Sequence, residues 1–184
     1  MTLKLSDTTP WTVELMRAHD AAHDQCARRQ NPSTAALIQV AHGNGTFANA
    51  VAAAMLTLGG KHGPLTQTQQ FLERTITLPA VHAHTIMREG GLVPGWGNSF
   101  VKGEHDSIWA DVDCLLQDHQ PGLSKTIASV TDVLHRLGKK VYPNPSCYTA
   151  ACAIVMGIPA SACSMLFLKA RLQAWTEIFL AASG

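Results

Sequence analysis

The sequence predicts an all-α fold of about eight or nine helices, and three observations carry that expectation. Apolar residues recur at three- and four-residue spacing along nearly the whole chain. Prolines and small polar residues stand where helices would begin, and glycines where they would end. The apolar–polar alternation of a half-buried strand is hard to find. At 184 residues the chain has the size of one domain, long enough to bury a core without staples.

Each element follows from local pattern. Trp11, Leu15, Ala18 and Ala22 mark a first helix within residues 1–27, with Thr9 or Asp7 as its cap and Pro10 in its first turn. Asn31-Pro32-Ser33-Thr34 breaks the chain and leads into a helix over 34–42. The run 46–58, TFANAVAAAMLTL, is apolar almost all round, so it is expected to be covered by its own fold or by another subunit. Gly59-Gly60 ends it. Further helices are expected over 65–74, from Pro79 to the Gly90-Gly91 stop, and over 107–117. Over 121–137, Ile127, Val130, Val133, Leu134 and Leu137 share one face, with Gly138 just past the end. Tyr142-Pro143-Asn144-Pro145 reads as a rigid loop, and 146–156 as a small-residue helix capped by Ser146. Pro159 begins the last helix.

Composition narrows the function. Apolar residues make up 46% and charged residues only 15%, and so sparse a charged surface points to coverage by a partner. The net charge is +1 and the basic runs are just Arg28-Arg29 and Lys139-Lys140, which argues against nucleic acid. Five cysteines, odd in number and without a CxxC pair, read as reduced thiols. With no signal-peptide pattern they suggest a cytoplasmic protein. No apolar run reaches the roughly 18 residues of a membrane span. The stretch 160–167 comes nearest, and Lys169 and Arg171 follow it.

Among the histidines, His19 and His23 have the i, i+4 spacing of metal ligands, with Asp20 and Asp24 beside them. The glutamate of a zincin helix is missing, so a solvated helix face is the simpler reading and no metal site is expected. His62, between glycines and directly before a helix, suits a neutral imidazole that donates a hydrogen bond. It would stabilise an enolate oxygen. Residues 91–106, GLVPGWGNSFVKGEHD, form a glycine-rich loop whose backbone can meet a ligand closely, with Lys102 as a point charge for phosphate. The loop lacks the GxxxxGKS/T and GxGxxG spacings. Nothing near Cys147 would depress its pKa into the nucleophile range.

Four blocks, in order over 28–184, resemble the citrate synthase family. Asn31-Pro32-Ser33-Thr34 with GGKHGPLTQ is similar to that family's NxST stretch and histidine–glycine loop. VPGWGNSFVK is similar to its PGxGHxxxK/R loop. YPNPSCYTAACAIVMGIP resembles YPNVDFYSG…GIP, and LFLKARLQAWTEIF resembles LFxxxRxxGWxAH. The resemblance covers roughly the second half of the family's fold. It implies a single all-α domain over 1–184, a homodimer through helix 46–58, and acyl-CoA chemistry that joins acetyl-CoA to oxaloacetate or cleaves citryl-CoA.

Carried over by position, the enol-stabilising histidine falls on His62, the second catalytic histidine on Asn98, and the catalytic aspartate on Ser146. The CoA-facing loop falls on Val93, Pro94, Gly95, Trp96 and Gly97, with Lys102 for a CoA phosphate. The carboxylate-binding residues fall on Arg171 and near Arg28, and a further family arginine falls near Ser107, where this sequence has none. The implied ligand is CoA or acetyl-CoA. Ser146 is no base at neutral pH without an activating partner, and Asn98 shuttles no proton. The expectation is a citrate-synthase-like protein that retains a CoA or carboxylate site and a dimer scaffold without conventional catalysis. An active acyl-CoA enzyme using His62 and a purely structural subunit are the alternatives.

Overall fold

Proline opens five of the helices, in the first-turn position where its missing N–H costs nothing. The computed structural model describes residues 9–29, 31–59, 62–76 and 78–184. Asp7, the alternative first cap, and Gly60 and Lys61 lie outside them. Among the described residues nine α-helices form: α1 (Pro10–Ala27), α2 (Pro32–His42), α3 (Phe47–Leu56), α4 (Leu65–Thr75), α5 (Pro79–Arg88), α6 (Ala110–His119), α7 (Pro121–Arg136), α8 (Pro145–Val155) and α9 (Cys163–Ser183). Single 3₁₀ turns, Ser107–Trp109 and Ala160–Ala162, lead into α6 and α9. The described residues hold isolated β-bridges but no strand. No helix among them is long and apolar enough to cross a membrane.

Helix α8 is the centre of the packing. Ser146 to Ala153 are all buried, and cysteines, alanines and a threonine there let α1, α4 and α9 approach closely. Helix α1 lies along α9, α2 and α3 pack together, and α2 also meets α9. Helix α7 sits between α5 and α6, and α6 meets α1. The α7 face is the one its spacing predicts except at the end: Leu137 is 39% exposed because it has already left the helix as its C-cap. Among the described residues helix α3 is covered on one side only, by α2 and α9. Only Ala50 and Ala54 are buried, and Leu56 is 85% exposed.

Two expectations need correction. Ser146 does not cap α8. Asn144 does, its Oδ1 accepting from Ser146 N at 2.9 Å, and Pro145 takes the first helical position. The same side chain donates from Nδ2 to Gly97 O at 2.8 Å, while Asn144 N donates to Gly95 O at 2.9 Å. One asparagine thus starts a helix and fastens the 91–106 loop. The second correction concerns His19 and His23, which are fully buried between α1, α8 and α9 rather than on a solvated face. The apolar period of α1 that marks Leu15 and Ala22 as core also carries His19 inward.

Burial lowers the pKa of both histidines below the ordinary 6.5, so both fold neutral. In the unfolded chain each takes a proton near 6.5, while the folded state does so only at lower pH. Stability from this source is therefore complete above about pH 6.5 and is lost as pH falls toward the folded values. The denaturation midpoint should be flat above pH 7 and fall below pH 6.5; a midpoint constant down to pH 5 would contradict it. Replacing Asn144 by Ala should cost about 2–3 kcal/mol in denaturant unfolding, a cap plus a buried hydrogen bond. Asn144→Asp, which keeps the acceptor and loses the donor, should recover about half of that.

Candidate functional site

Six segments close on one cavity of ≈ 180 Å³: the end of α1, the start of α2, the turn before α4, loop residues 97–100, the start of α8, and α9. The structure brings His62, Gly97, Asn98, Ser146 and Arg171 together in its lining, from sequence positions more than a hundred residues apart. Arg28 is not among them. It is exposed and paired with Asp24 and Glu177, and its neighbour Arg29 lines the cavity instead. Helix α1 ends at Ala27, so the chain turns there and a one-residue offset exchanges outside for inside.

Arg171 sets the electrostatics. It is 4% exposed on α9, its guanidinium lies 4.8 Å over the Phe167 ring, and Nε donates to His23 Nδ1 at 2.9 Å. Nη1 is buried without any hydrogen-bond partner. Among the described residues no carboxylate pairs with Arg171, and none lines the cavity. Burial pulls its pKa down to about 10, which still leaves it charged at neutral pH. His62 faces the same space. Its pKa is lowered by burial and then by Arg171, so it is neutral, and its Nε2 is also buried without a partner. Its backbone forms a tight pair of hydrogen bonds with Gly59, at 2.7 and 3.0 Å, which holds it in place before α4.

Arg29 and Asn98 belong to a different arrangement. Arg29 makes a two-pronged ion pair with the buried Asp106, one arm at 3.1 Å. Asn98 Nδ2 reaches Asp106 at 3.3 Å, and its Oδ1 accepts from Phe100 N at 2.9 Å. Both ends of the Asn98 amide are thus engaged in shaping the loop. Ser146 lies at the N-terminal end of α8, where backbone N–H groups favour negative charge.

The loop 93–97 is built differently from the expectation that its backbone is open to a ligand. Val93 and Trp96 are buried, with Trp96 Nε1 donating to Thr131 at 2.9 Å. Trp96 N donates to Val93 O, Gly97 N to Tyr142 O, and the carbonyls of Gly95 and Gly97 accept from Asn144. At Gly95, φ is +89° and a Cβ would stand 2.5 Å from Thr68 Cγ2, so glycine is required for close packing on α4. Pro94 is half-buried beside it. Lys102 is exposed and stands on the other side of Gly97 and Asn98, with Lys140, at a neighbouring cavity of ≈ 140 Å³. The thiols of Cys26 and Cys147 are pushed up by burial, which removes them as nucleophiles.

Sequence reasoning missed Arg29, Phe167 and the support behind Arg171. The signal for Phe167 was its i, i+4 relation to Arg171 on one helix face. The His19–His23 spacing was visible, but it marks a buried pair on Thr149 rather than a metal face. Among the described residues no three His, Cys, Asp or Glu side chains gather as a metal site.

No protein-family model and no curated protein matches the sequence. Solved structures do match the fold. Citryl-CoA lyase from Hydrogenobacter thermophilus superimposes with a TM-score of 0.81 at 19% identity, over 98% of this chain and 73% of that one. Citrate synthase from Thermotoga maritima gives 0.79 at 20% identity, over 92% of this chain and 49% of the synthase. ATP citrate lyase from Methanosaeta concilii, solved in complex with (3S)-citryl-CoA, gives 0.78 at 10% identity over 96% of this chain and 32% of its own. The chain therefore has the all-α fold shared by citrate synthase and citryl-CoA lyase, over nearly its whole length.

Proposed function

We propose that the chain binds a carboxylate ligand of the citrate or citryl-CoA class in the Arg171–His62 cavity, without conventional citrate synthase catalysis. The observation that carries this reading is the buried guanidinium of Arg171, with Nη1 unpartnered and, among the described residues, no carboxylate paired to it. An uncompensated buried charge costs roughly several kcal/mol, and an anion in the cavity relieves that cost. His62 Nε2 supplies a second unpartnered polar atom, and the start of α8 adds favourable backbone dipoles. The solved complex with (3S)-citryl-CoA supports the ligand class through the shared fold. A CoA phosphate would reach Lys102 across the Gly97–Asn98 loop. Loss of a general base at Ser146 lowers a proton-abstraction rate by about a hundred- to ten-thousand-fold.

Calorimetry should detect citrate binding at millimolar concentration or tighter. Arg171→Met should weaken it by roughly tenfold or more, the loss expected for a charged hydrogen bond. No heat with citrate, CoA or acetyl-CoA would sink the reading. Thiol release from acetyl-CoA and citryl-CoA should stay at background. Turnover that disappears in His62→Ala would instead establish the enzyme reading, which the neutral, unpartnered His62 favours.

The exposed side of α3, with Ala48, Ala52 and the 85% exposed Leu56, supports a homodimer built on this helix. Sedimentation at micromolar concentration should give a dimer that Leu56→Arg converts to monomer. A parent that sediments as a monomer would remove this part of the proposal.

A further inference from the structure

A buried arginine is ordinarily steadied by a carboxylate, and Arg171 is steadied by a histidine. Its Nε–H donates to His23 Nδ1 at 2.9 Å. That bond fixes the tautomer: with Nδ1 accepting, the ring proton sits on Nε2. Nε2 lies 2.7 Å from Thr149 Oγ1, which itself donates to Pro145 O at 2.8 Å, one residue before Ser146. His19 Nε2 stands 3.2 Å from the same hydroxyl. The other ring nitrogen of His19 is 3.4 Å from Asp20, which also takes the Lys169 ammonium. The rings of Trp109 and Phe167 meet His23 edge-on at 5.2 and 5.1 Å, so a different pose of His23 would need them to move. Thr149 gives its one proton to Pro145 O, so neutral His19 donates either to Thr149 or to Asp20. The unbroken hydrogen-bonded series runs from Pro145 O through Thr149 and His23 to the guanidinium of the cavity, with His19 packed beside it.

The charges around this series bear on what a proton would do there. His19 and Arg171 act on His23 directly. Asp20 and Lys169 flank His19, and Cys26, Arg29 and Asp24 surround Arg171. From α8 the Cys152 thiol feels the Asp20 charge, and Tyr148 stacks on Trp109 behind His23. None of these puts a carboxylate against His23. A proton on Nδ1 would remove the acceptor for Arg171 and set a second positive charge against it.

We propose that His23, braced by Thr149 and His19, is the positioning residue that holds Arg171 toward the cavity, and that protonation of His23 releases it. The positioning stands on geometry alone; its effect on a ligand rests on the carboxylate reading given above.

The test uses ¹⁵N-labelled full-length protein without ligand, at about pH 7.5, where the histidine is neutral. His23 should show the Nε2–H tautomer with a hydrogen-bonded Nδ1, and Arg171 Nε–H a separate, slowly exchanging signal. That signal should persist in His23→Asn, whose Oδ1 occupies the place of Nδ1, and vanish in His23→Leu. It should also vanish in the parent as His23 takes up a proton in acid. Citrate affinity should fall roughly tenfold or more in His23→Leu and stay close to the parent in His23→Asn. An Nδ1–H tautomer, or an Arg171 signal unchanged in His23→Leu, overturns the proposal. Should the Leu variant not fold, the parent's tautomer and the Asn variant still decide. The spectral signature without citrate binding upholds the positioning and refutes the carboxylate reading.

Discussion

The guanidinium of Arg171 lies in the interior with no carboxylate paired to it among the described residues, and much of the surrounding structure is arranged about that fact. Helix α9 supplies it, with Phe167 one turn earlier as a surface for its flat face. Helix α1 supplies His23 as acceptor, and α8 supplies the Thr149 hydroxyl that keeps His23 in the right tautomer. A desolvated cation left without a carboxylate is destabilising by roughly several kcal/mol. Burial of apolar side chains such as Leu15, Leu37, Trp109 and Trp175 offsets it. Residues kept in such a state at the wall of a cavity are better suited to binding than to stability.

The second constraint is Asn144. Through one amide it starts α8, so setting Ser146 at the cavity wall, and it takes up the carbonyl of Gly97. Residues 93–97 are in this way a packed element. Their backbone is hydrogen-bonded to itself, Tyr142 and Asn144, and the side chains of Val93 and Trp96 anchor them in the core. On the 91–106 loop Gly97–Phe100 line the Arg171 cavity and Lys102 lines the neighbouring one. Asn98, which stands where the resemblance leads one to expect a histidine, is engaged with Asp106 and Phe100 N. A side chain committed to loop geometry has little freedom left for proton transfer.

Helix content was legible because proline starts, glycine stops and apolar spacing agree locally; α7 and its Gly138 stop are the clearest case. The gathering of His62, Ser146 and Arg171 followed from motif order rather than from any local pattern. What stayed hidden depended on tertiary contacts. Spacing alone could not tell a buried i, i+4 histidine pair from a solvated one, because the partner, Thr149, lies about 130 residues away. Arg28 and Arg29 are equivalent as sequence, and only the exact end of α1 decides which one faces inward. The cap on α8 was misplaced by two residues, although Asn before Pro is a standard helix-start signal.

We propose that the cavity is an anion receptor organised by Arg171. The most direct test is a crystal structure of the protein grown with citrate at neutral pH. The expected structure has a carboxylate bound to Arg171 Nη1 and within hydrogen-bond reach of His62 Nε2, with His23 still bonded to Arg171 Nε. A cavity holding water alone, with Arg171 turned away to a protein carboxylate, would contradict it.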